Sequence, residues 1–282
     1  MLTHGSTRGL YYVPVALGDR PRPLDLSALA DSGTRVIVNL RWSWSVDTGG
    51  GGTLPPPDRI DAFVSAALRT IDGSRGVWGW TIGNEPNNPR EHPPGLFVEP
   101  GYAAEVYNRI YESASGRLAP PPVDPFFGPF YGDPEKDPWA DCGHWFAELW
   151  RLISGADFVD LHGYIRGPDP ALVGSPARFA DPPLTWQYLN FPGCLETLLS
   201  RLPGWARSLP AVVSEFNHLT KDDGSWGWVA DARAPAILDA ALDALRALKV
   251  VGLALYRWRG DAWAIEGNGP LLARLADVLK GD

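Results

Sequence analysis

Residues 35–40 of the chain read RVIVNL, a continuous apolar run that is rich in β-branched side chains. A run of this length without alternating polar residues is typical of a strand that is buried on both faces of a parallel sheet. The next regular segment, residues 58–71, carries its apolar side chains along one face of a helix. Because consecutive parallel strands need a crossover connection, this stretch predicts a β-strand and the helix that leads to the next strand.

The alternation of strand and helix continues on both sides of this stretch. Further strands are predicted at residues 10–16, 77–82, 125–131, 158–162, 211–214 and 250–256. Further helices are predicted at residues 25–31, 102–113, 139–153, 195–202, 235–248 and 271–279. This order predicts an α/β protein with a parallel sheet, in one domain that spans residues 1–282. A β/α barrel of about 250 residues would fit this length.

The composition indicates a folded, acidic protein. Of the 282 residues, 45% are hydrophobic and 21% are charged, which are ordinary values for a globular domain and exclude a disordered chain. The net charge of −8 argues against nucleic acid as a partner, because the phosphate backbone would be repelled. The 13 Trp residues outnumber both Tyr and Phe, which suits a site for flat apolar ligands such as sugar rings.

The sequence contains no segment that resembles a membrane span or an export signal. No apolar run approaches the roughly 18 residues of a membrane helix, and residues 1–8 lack the apolar core of a signal peptide. We therefore expect no membrane partner and a cytoplasmic protein, or a secreted one if the N-terminus is incomplete. The two cysteines, Cys142 and Cys194, are interpreted as inert thiols, with a single disulfide as the alternative.

The first chemically informative string is WTIGNEPN, residues 80–87. It places Glu85 directly after a predicted buried strand, with the amide of Asn84 beside it. Ligands of parallel β/α proteins bind at the C-terminal ends of the strands, and partial burial there would raise the pKa of Glu85 and suit it to general acid catalysis. The alternative is a glutamate that caps the next helix or lies in a surface loop.

A second string, AVVSEFN at residues 211–217, repeats this arrangement with Glu215 at the end of a short apolar strand. Two such glutamates can face each other across the mouth of a barrel. Cleavage of a glycosidic bond needs one carboxyl group to protonate the leaving oxygen and another to attack or stabilise the sugar carbon. The alternative for Glu215 alone is an ion-paired residue at a strand end.

Together these strings resemble the motifs of the retaining glycoside hydrolases of clan A, which are (β/α)8 TIM barrels. GNEP at residues 83–86 is similar to the clan's acid/base motif, and SEF at residues 214–216 is similar to its nucleophile motif. The resemblance implies that Glu85 is the acid/base, that Glu215 is the nucleophile and that Asn84 binds the 2-hydroxyl of the sugar. In the clan these glutamates end strands four and seven. Only two predicted strands precede the strand before Glu85, so the implied barrel has a shortened or incomplete N-terminal part.

The resemblance implies further site residues. DLHGY at residues 160–164 looks like strand six of the clan, where the Tyr164 hydroxyl would hold the nucleophile ionised. His162 lies on the same face of that strand, with a structural histidine as the alternative. Trp258 follows the last predicted strand, and its ring would form the floor of the central sugar subsite. The alternative is an ordinary aromatic residue at the barrel mouth. Arg41 would contact the nucleophile carboxylate.

Four Trp residues in the predicted strand-end loops are candidates for stacking against sugar rings. Trp42 and Trp44 would point the same way if their strand continues, and Trp226 and Trp228 bear the same relation. Packing within the loops is the alternative for each of them.

Other chemistries lack their sequence signatures. The chain has no dinucleotide-binding or phosphate-binding glycine motif, no GxSxG elbow and no His or Cys spacing typical of a metal site. The sequence therefore predicts a hydrolase without cofactor or metal that cleaves β-glycosidic bonds of an oligosaccharide or polysaccharide with retention. The alternative is a catalytically inactive barrel that binds carbohydrate. Nothing in the sequence specifies an oligomeric state.

Overall fold

A computed structural model describes residues 9–44, 52–92, 97–125, 141–167, 169–174, 191–221, 226–259 and 264–280. The strands in these ranges are β1 (Leu10–Ala16), β2 (Arg35–Arg41), β3 (Gly79–Ile82), β4 (Leu118–Ala119), β5 (Val159–Arg166), β6 (Ala211–Lys221), β7 (Trp226–Trp228) and β8 (Val250–Leu255). The α-helices are α1 (Ser27–Asp31), α2 (Ile60–Gly73), α3 (Pro100–Tyr111), α4 (Cys142–Leu152), α5 (Phe191–Ser200), α6 (Arg233–Ala247) and α7 (Gly269–Lys280).

Within the described residues the strands form two four-stranded sheets. One sheet has the order β1-β2-β3-β4, and all of its neighbouring strands are parallel. In the other, β6 pairs in parallel with β5 and β8 and forms an antiparallel hairpin with the short β7. The predicted α/β class with parallel strands and intervening helices is therefore confirmed.

Both sheets border one interior. A buried cluster collects side chains from strands of both sheets and from the residue before β5: Leu10, Ile37, Ala119, Phe158, Val212 and Ala254. The Thr81 hydroxyl of β3 also donates to Oδ2 of Asp160 in β5 at 2.6 Å. These contacts bring the ends of β3 and β6 to the same region of the molecule.

The burial of β2 explains why apolar residues fill most of its positions and why its one interior polar residue, Asn39, donates a hydrogen bond to Gly83 O. Ile37 faces the interior cluster shared by the two sheets, whereas Val36, Val38 and Leu40 belong to a larger cluster that includes the helices. All four side chains are fully buried. A strand covered on both faces has no position for a solvent-exposed polar side chain, so the sequence pattern does not alternate.

The structure adds two short strands to the prediction and extends two others. β4 (Leu118–Ala119) and β7 (Trp226–Trp228) were not predicted because two or three residues carry too little pattern, and β5, predicted to end at His162, continues to Arg166. The predicted strand at 125–131 lies almost entirely outside the described residues. β6 was predicted to end at Ser214 but continues to Lys221. The extension includes Glu215 and Asn217, which are buried polar residues and interrupt the apolar pattern.

Two further sequence expectations can be compared with the structure. Cys142 and Cys194 are both free thiols. Among the described helices, none is both long and apolar enough to cross a membrane.

Candidate active site

Glu85 follows β3 in a turn with unusual backbone geometry. Its φ is +38°, in the left-handed region that costs a non-glycine residue about 1–3 kcal/mol and that recurs at functional sites. The turn is held by two backbone hydrogen bonds: Glu85 N donates to Pro122 O at 3.0 Å, and Asn88 N donates to Glu85 O at 2.8 Å. The Glu85 side chain is buried, with the residue only 5% exposed.

Glu215 is held differently, within the continuous strand β6. It pairs in register with His162 of β5, next to an irregularity in the ladder between Leu161 and His162. His162 and Tyr164 lie two residues apart on β5 and point the same way. Glu215, His162 and Tyr164 are all buried.

The two predicted glutamates meet in this site. One carboxylate oxygen of Glu85, one of Glu215 and a ring nitrogen of His162 all lie within 4.8 Å of one another. His162 Nδ1 is 2.6 Å from Oε1 of Glu85 and 3.7 Å from Oε2 of Glu215. The Tyr164 hydroxyl is 2.8 Å from Oε1 of Glu85 and 3.2 Å from Oε2 of Glu215. His162 and Tyr164 therefore connect the two carboxylates.

The charges of the two glutamates keep His162 protonated at neutral pH. Burial alone would lower the pKa of His162, but the charges of Glu215 and Glu85 outweigh it and raise the pKa to about 9. The buried cluster thus pairs one imidazolium with two carboxyl groups. A divalent cation could use the same three donors only by displacing this proton.

The pKa of Glu85 departs from the sequence expectation. Burial acts to raise it, as expected, but the charge of His162 and hydrogen bonds from His162, Tyr164 and Asn88 outweigh burial and hold the pKa below its usual value. The expectation of a raised pKa at Glu85 is therefore wrong in the free protein. Burial raises the pKa of Glu215, aided by the charge of Glu85 and opposed by His162 and Arg41.

The other polar residues of the prediction lie close by. Asn84 is 3% exposed, and its Oδ1 has no hydrogen-bond partner in the described part of the chain. Arg41 ends β2, and its charge acts to lower the pKa of Glu215. The site therefore offers an unsatisfied acceptor and a nearby cation beside the carboxylate pair.

The predicted Trp residues are in mixed surroundings. Trp42 packs edge-on against Phe63, with ring centroids 6.4 Å apart, and Trp228 packs in the same manner against Phe216 at 6.2 Å. Both rings thus pack against aromatic side chains of α2 and β6, and their stacking against a sugar ring stays a prediction. Trp44 is half-buried. The side chain of Trp226 lies outside the described residues.

A cavity of about 310 Å³ lies between β1 and β8. Its lining includes Tyr12, Arg41, Ser214, Tyr256 and Trp258. Trp258 is 51% exposed. Burial, together with the charge of Glu215, raises the pKa of Tyr256 to about 12, so Tyr256 lies within the electrostatic reach of that carboxylate. The volume is at the lower end of the range for small-molecule pockets.

Glu91 is a third carboxylate that the sequence analysis missed. It lies in the loop after β3, and its Oε2 accepts a hydrogen bond from Gly52 N at 3.0 Å. Burial and the charges of Glu85 and Glu215 raise its pKa to about 7, against the opposing charge of Arg41. No motif marks Glu91, because its position depends on the path of two loops.

Two more residues near Glu85 were missed. The Asn88 amide donates to Oε2 of Glu85 at 3.1 Å and to Oδ2 of Asp124 at 3.0 Å. The Asn87 side chain bonds both backbone groups of Asp124 at 2.8 Å. The only sequence signal was the pair of asparagines that follows Pro86, and Asp124 lies in a different loop.

The sequence matches no protein-family model and no curated protein. The fold, by contrast, is similar to solved glycoside hydrolases. An endo-β-1,3-glucanase of GH128 (subgroup I) from Amycolatopsis mediterranei, in complex with laminaritriose, has a TM-score of 0.50 and 14% identity, over 96% of this chain and 99% of that chain. A family 39 glycoside hydrolase from Bacteroides cellulosilyticus WH2 has a TM-score of 0.57 and 15% identity, over 96% and 57%.

A family 44 endoglucanase from Clostridium thermocellum has a TM-score of 0.51 and 13% identity, over 88% of this chain and 61% of that chain. The chain thus spans well under two thirds of the family 39 and family 44 structures and nearly all of the GH128 structure. The resemblance to clan A-like barrel families, expected from the two glutamate motifs, is found in the fold.

Proposed function

We propose that the protein is a retaining glycoside hydrolase that cleaves β-glycosidic bonds in an oligosaccharide or polysaccharide, with Glu85 and Glu215 as its catalytic pair. One observation carries the proposal: oxygens of the two buried carboxyl groups lie within 4.8 Å of each other. Retaining enzymes hold their carboxyl groups about 5–5.5 Å apart, whereas inverting enzymes leave about 6.5–9.5 Å for a water molecule. We propose a (β/α)8-type barrel, shortened at its N-terminal part, as the scaffold.

The proposed roles follow the motif resemblance. Glu85 protonates the leaving oxygen while Glu215 attacks the anomeric carbon and forms a glycosyl-enzyme. The Glu85 carboxylate then takes a proton from water, and the oxygen of that water attacks the anomeric carbon and releases Glu215. The buried Oδ1 of Asn84 is available to accept a hydrogen bond from a sugar hydroxyl.

These roles need a proton on Glu85 and a charge on Glu215 before the first step. In the free protein the charge of His162 and the hydrogen bonds hold the pKa of Glu85 below its usual value against its burial, whereas burial raises the pKa of Glu215, so one proton shared by the pair favours Glu215. The Tyr164 hydroxyl contacts both carboxylates, so it can accept the Glu215 proton and pass its own to Glu85. This transfer conserves the proton count and leaves Tyr164 neutral.

The substrate panel follows from the fold relatives. The GH128 relative is an endo-β-1,3-glucanase and the family 44 relative is an endoglucanase. We therefore place β-glucan oligosaccharides with β-1,3 linkages first, followed by other β-glucans and aryl β-glycosides.

The test measures turnover of this panel by the wild type, E85Q and E215Q. NMR identifies which anomer the wild type releases first. We expect retention, and losses of at least about 10³-fold in each variant. Azide assigns the roles: it should give an α-glycosyl azide with E215A, by direct attack, and a β-glycosyl azide with E85A, through the glycosyl-enzyme. Binding measured by calorimetry without turnover of any β-glycoside would favour the carbohydrate-binding barrel instead.

A further inference from the structure

The side chain of Asn88 lies between two buried carboxylates. Its Nδ2 donates to Oε2 of Glu85 at 3.1 Å and to Oδ2 of Asp124 at 3.0 Å. Its Oδ1 accepts a hydrogen bond from Arg90 N at 3.0 Å. Asn88 is itself 5% exposed, so the amide has little access to water.

These three contacts fix which way the amide points. Ionised carboxylates only accept hydrogen bonds, and a backbone N–H only donates. Turning the amide over would place its oxygen against two carboxylates and its NH2 against an N–H, so all three bonds would be lost. Each N–H group of the Asn88 side-chain amide therefore donates a hydrogen bond to one of the two carboxylates.

The contact completes the hydrogen bonding of Glu85. Oε1 of Glu85 faces His162 and Tyr164 of β5, whereas Oε2 faces Asn88 from the turn that follows β3. Asp124, on the far side of Asn88, is held by the Asn87 side chain through both of its backbone groups. Asn88 thus ties the Glu85 carboxylate to the loop that follows β4.

We propose that Asn88 is a positioning residue that fixes the Glu85 carboxylate and stabilises its charged form, a role that rests on the proposed hydrolysis. In the second step of that reaction Glu85 must be charged in order to take a proton from water. Asn88 supplies a donor to that charge, and Asp124 keeps the donor in place. Asn88 itself transfers no proton.

The pH behaviour of Glu85 reflects the titratable and charged groups around it. These groups are His162 and Tyr164 from β5, Glu215 from β6, Glu91 from its own loop and Tyr256 from the end of β8. The cation of Arg41, at the end of β2, acts on Glu215 and Glu91. Asp124 acts through Asn88. Removing the Asn88 donor leaves these groups in place and takes hydrogen bonds only from Glu85 and Asp124, so the shift it causes reports those two contacts.

The experiment compares N88A with N87A, which loosens the same loop without removing a donor from Glu85. We expect N88A to lower kcat about tenfold with an aryl β-glycoside whose deglycosylation limits turnover, and to move the alkaline limb of kcat/KM, which reports protonated Glu85, upward by about one pH unit. N87A should lower the thermal midpoint without moving that limb. Equal pH profiles for wild type and N88A would overturn the proposal.

A double variant separates the contact to Glu85 from the contact to Asp124. N88D/D124N exchanges the amide and the carboxylate, so it keeps the net charge and a hydrogen bond between positions 88 and 124. It removes the donor to Glu85 and also places a carboxylate beside Glu85, and both changes raise the pKa of Glu85. We expect the thermal midpoint to recover relative to N88D while the alkaline limb moves upward at least as far as in N88A. A limb that returns to the wild-type position would reduce Asn88 to a structural role and overturn the proposal.

A readout without turnover separates this proposal from the proposed function. The carboxyl ¹³C resonance of Glu85, assigned with E85Q, is titrated in wild type and N88A. A higher midpoint in N88A supports the role of Asn88 even if the wild type hydrolyses no glycoside, in which case only the proposed hydrolysis fails. Turnover by the wild type with an unchanged midpoint in N88A overturns the Asn88 proposal alone.

Discussion

The two glutamates of the site rest on different kinds of support. Glu215 belongs to β6, whose backbone is hydrogen-bonded to β5 on one side and β8 on the other. Glu85 belongs to a turn with a positive φ that is held by bonds to Pro122 and by the side chains of Asn87 and Asn88. The first carboxylate is therefore placed by the fold, and the second by a few specific side chains.

The two glutamates also differ in the number of hydrogen-bond donors that surround their carboxylates. Glu85 receives hydrogen bonds from His162, Tyr164 and Asn88, whereas Glu215 lies 3.2 Å from the Tyr164 hydroxyl and 3.7 Å from His162. The strand-borne carboxylate is rigidly placed but poorly stabilised as an anion, and the turn-borne one is well stabilised. Variants that remove a shared partner should therefore affect the two carboxylates unequally.

His162 is the shared partner with the largest expected effect. H162A would leave two buried carboxyl groups without their cation, and removing one partner of a buried ion pair costs about 3–5 kcal/mol. The pKa of His162 is about 9 in the folded protein, above its ordinary value of 6.5, so its contribution is fully present below pH 6.5 and is lost as the pH rises through 9.

Urea unfolding between pH 6 and 10 measures how the contribution of His162 to the free energy of unfolding depends on pH. We expect the difference between wild type and H162A to be largest near pH 6.5 and to narrow above pH 9. H144A is the matched control, because His144 is exposed on α4 and should change the free energy of unfolding by less than about 0.5 kcal/mol. A difference for H162A that is independent of pH would contradict the shared ion pair.

Tyr164 is the shared neutral partner. Y164F removes the hydroxyl that lies within hydrogen-bond distance of both carboxylates, and we expect kcat/KM to fall roughly 30- to 100-fold, the loss of about one well-placed donor. Y107F is the control, since Tyr107 is buried in α3 and its hydroxyl has no partner among the described residues. Steady-state kinetics with an aryl β-glycoside makes the comparison, and equal losses in both variants would refute it.

The same contrast explains how much could be predicted from the sequence. Glu85 and Glu215 could be found because each follows an apolar run. His162 and Tyr164 could be named because DLHGY resembles strand six of the clan, although the predicted strand ended at His162. The extent of β6 could not be predicted, because the inward-facing Glu215 and Asn217 are polar and resemble the end of a strand. The polar residues that form the site therefore make the strand that carries them look shorter in the sequence than it is.

The residues around the turn were beyond the reach of sequence patterns. Asn88, Glu91 and Asp124 approach Glu85 only through the path of the loops after β3 and β4, which no periodicity encodes. The pKa of Glu85 was mispredicted for the same reason. Burial could be inferred from the position after a strand, but it is outweighed by His162 and Tyr164, which lie far away in the sequence, and by Asn88, whose orientation depends on Asp124.

Substitution of Glu91 has the smallest predicted effect, and it tests the loop after β3 that carries Glu85. Its pKa of about 7 lies above its ordinary value of 4.5, so the folded state favours the protonated form, and stability present below pH 4.5 is lost as the pH rises through 7. E91Q keeps an acceptor for Gly52 N and has no charge to bury. We expect E91Q to have the same free energy of unfolding as the wild type near pH 4.5 and a free energy about 1–2 kcal/mol higher at pH 8. This value is below the full shift because the side chain is partly exposed.

The control is E196Q, at an exposed position of α5, which should show no such gain in the free energy of unfolding. If urea unfolding gives E91Q the same pH dependence as the wild type, Glu91 lies outside the electrostatic reach of the pair.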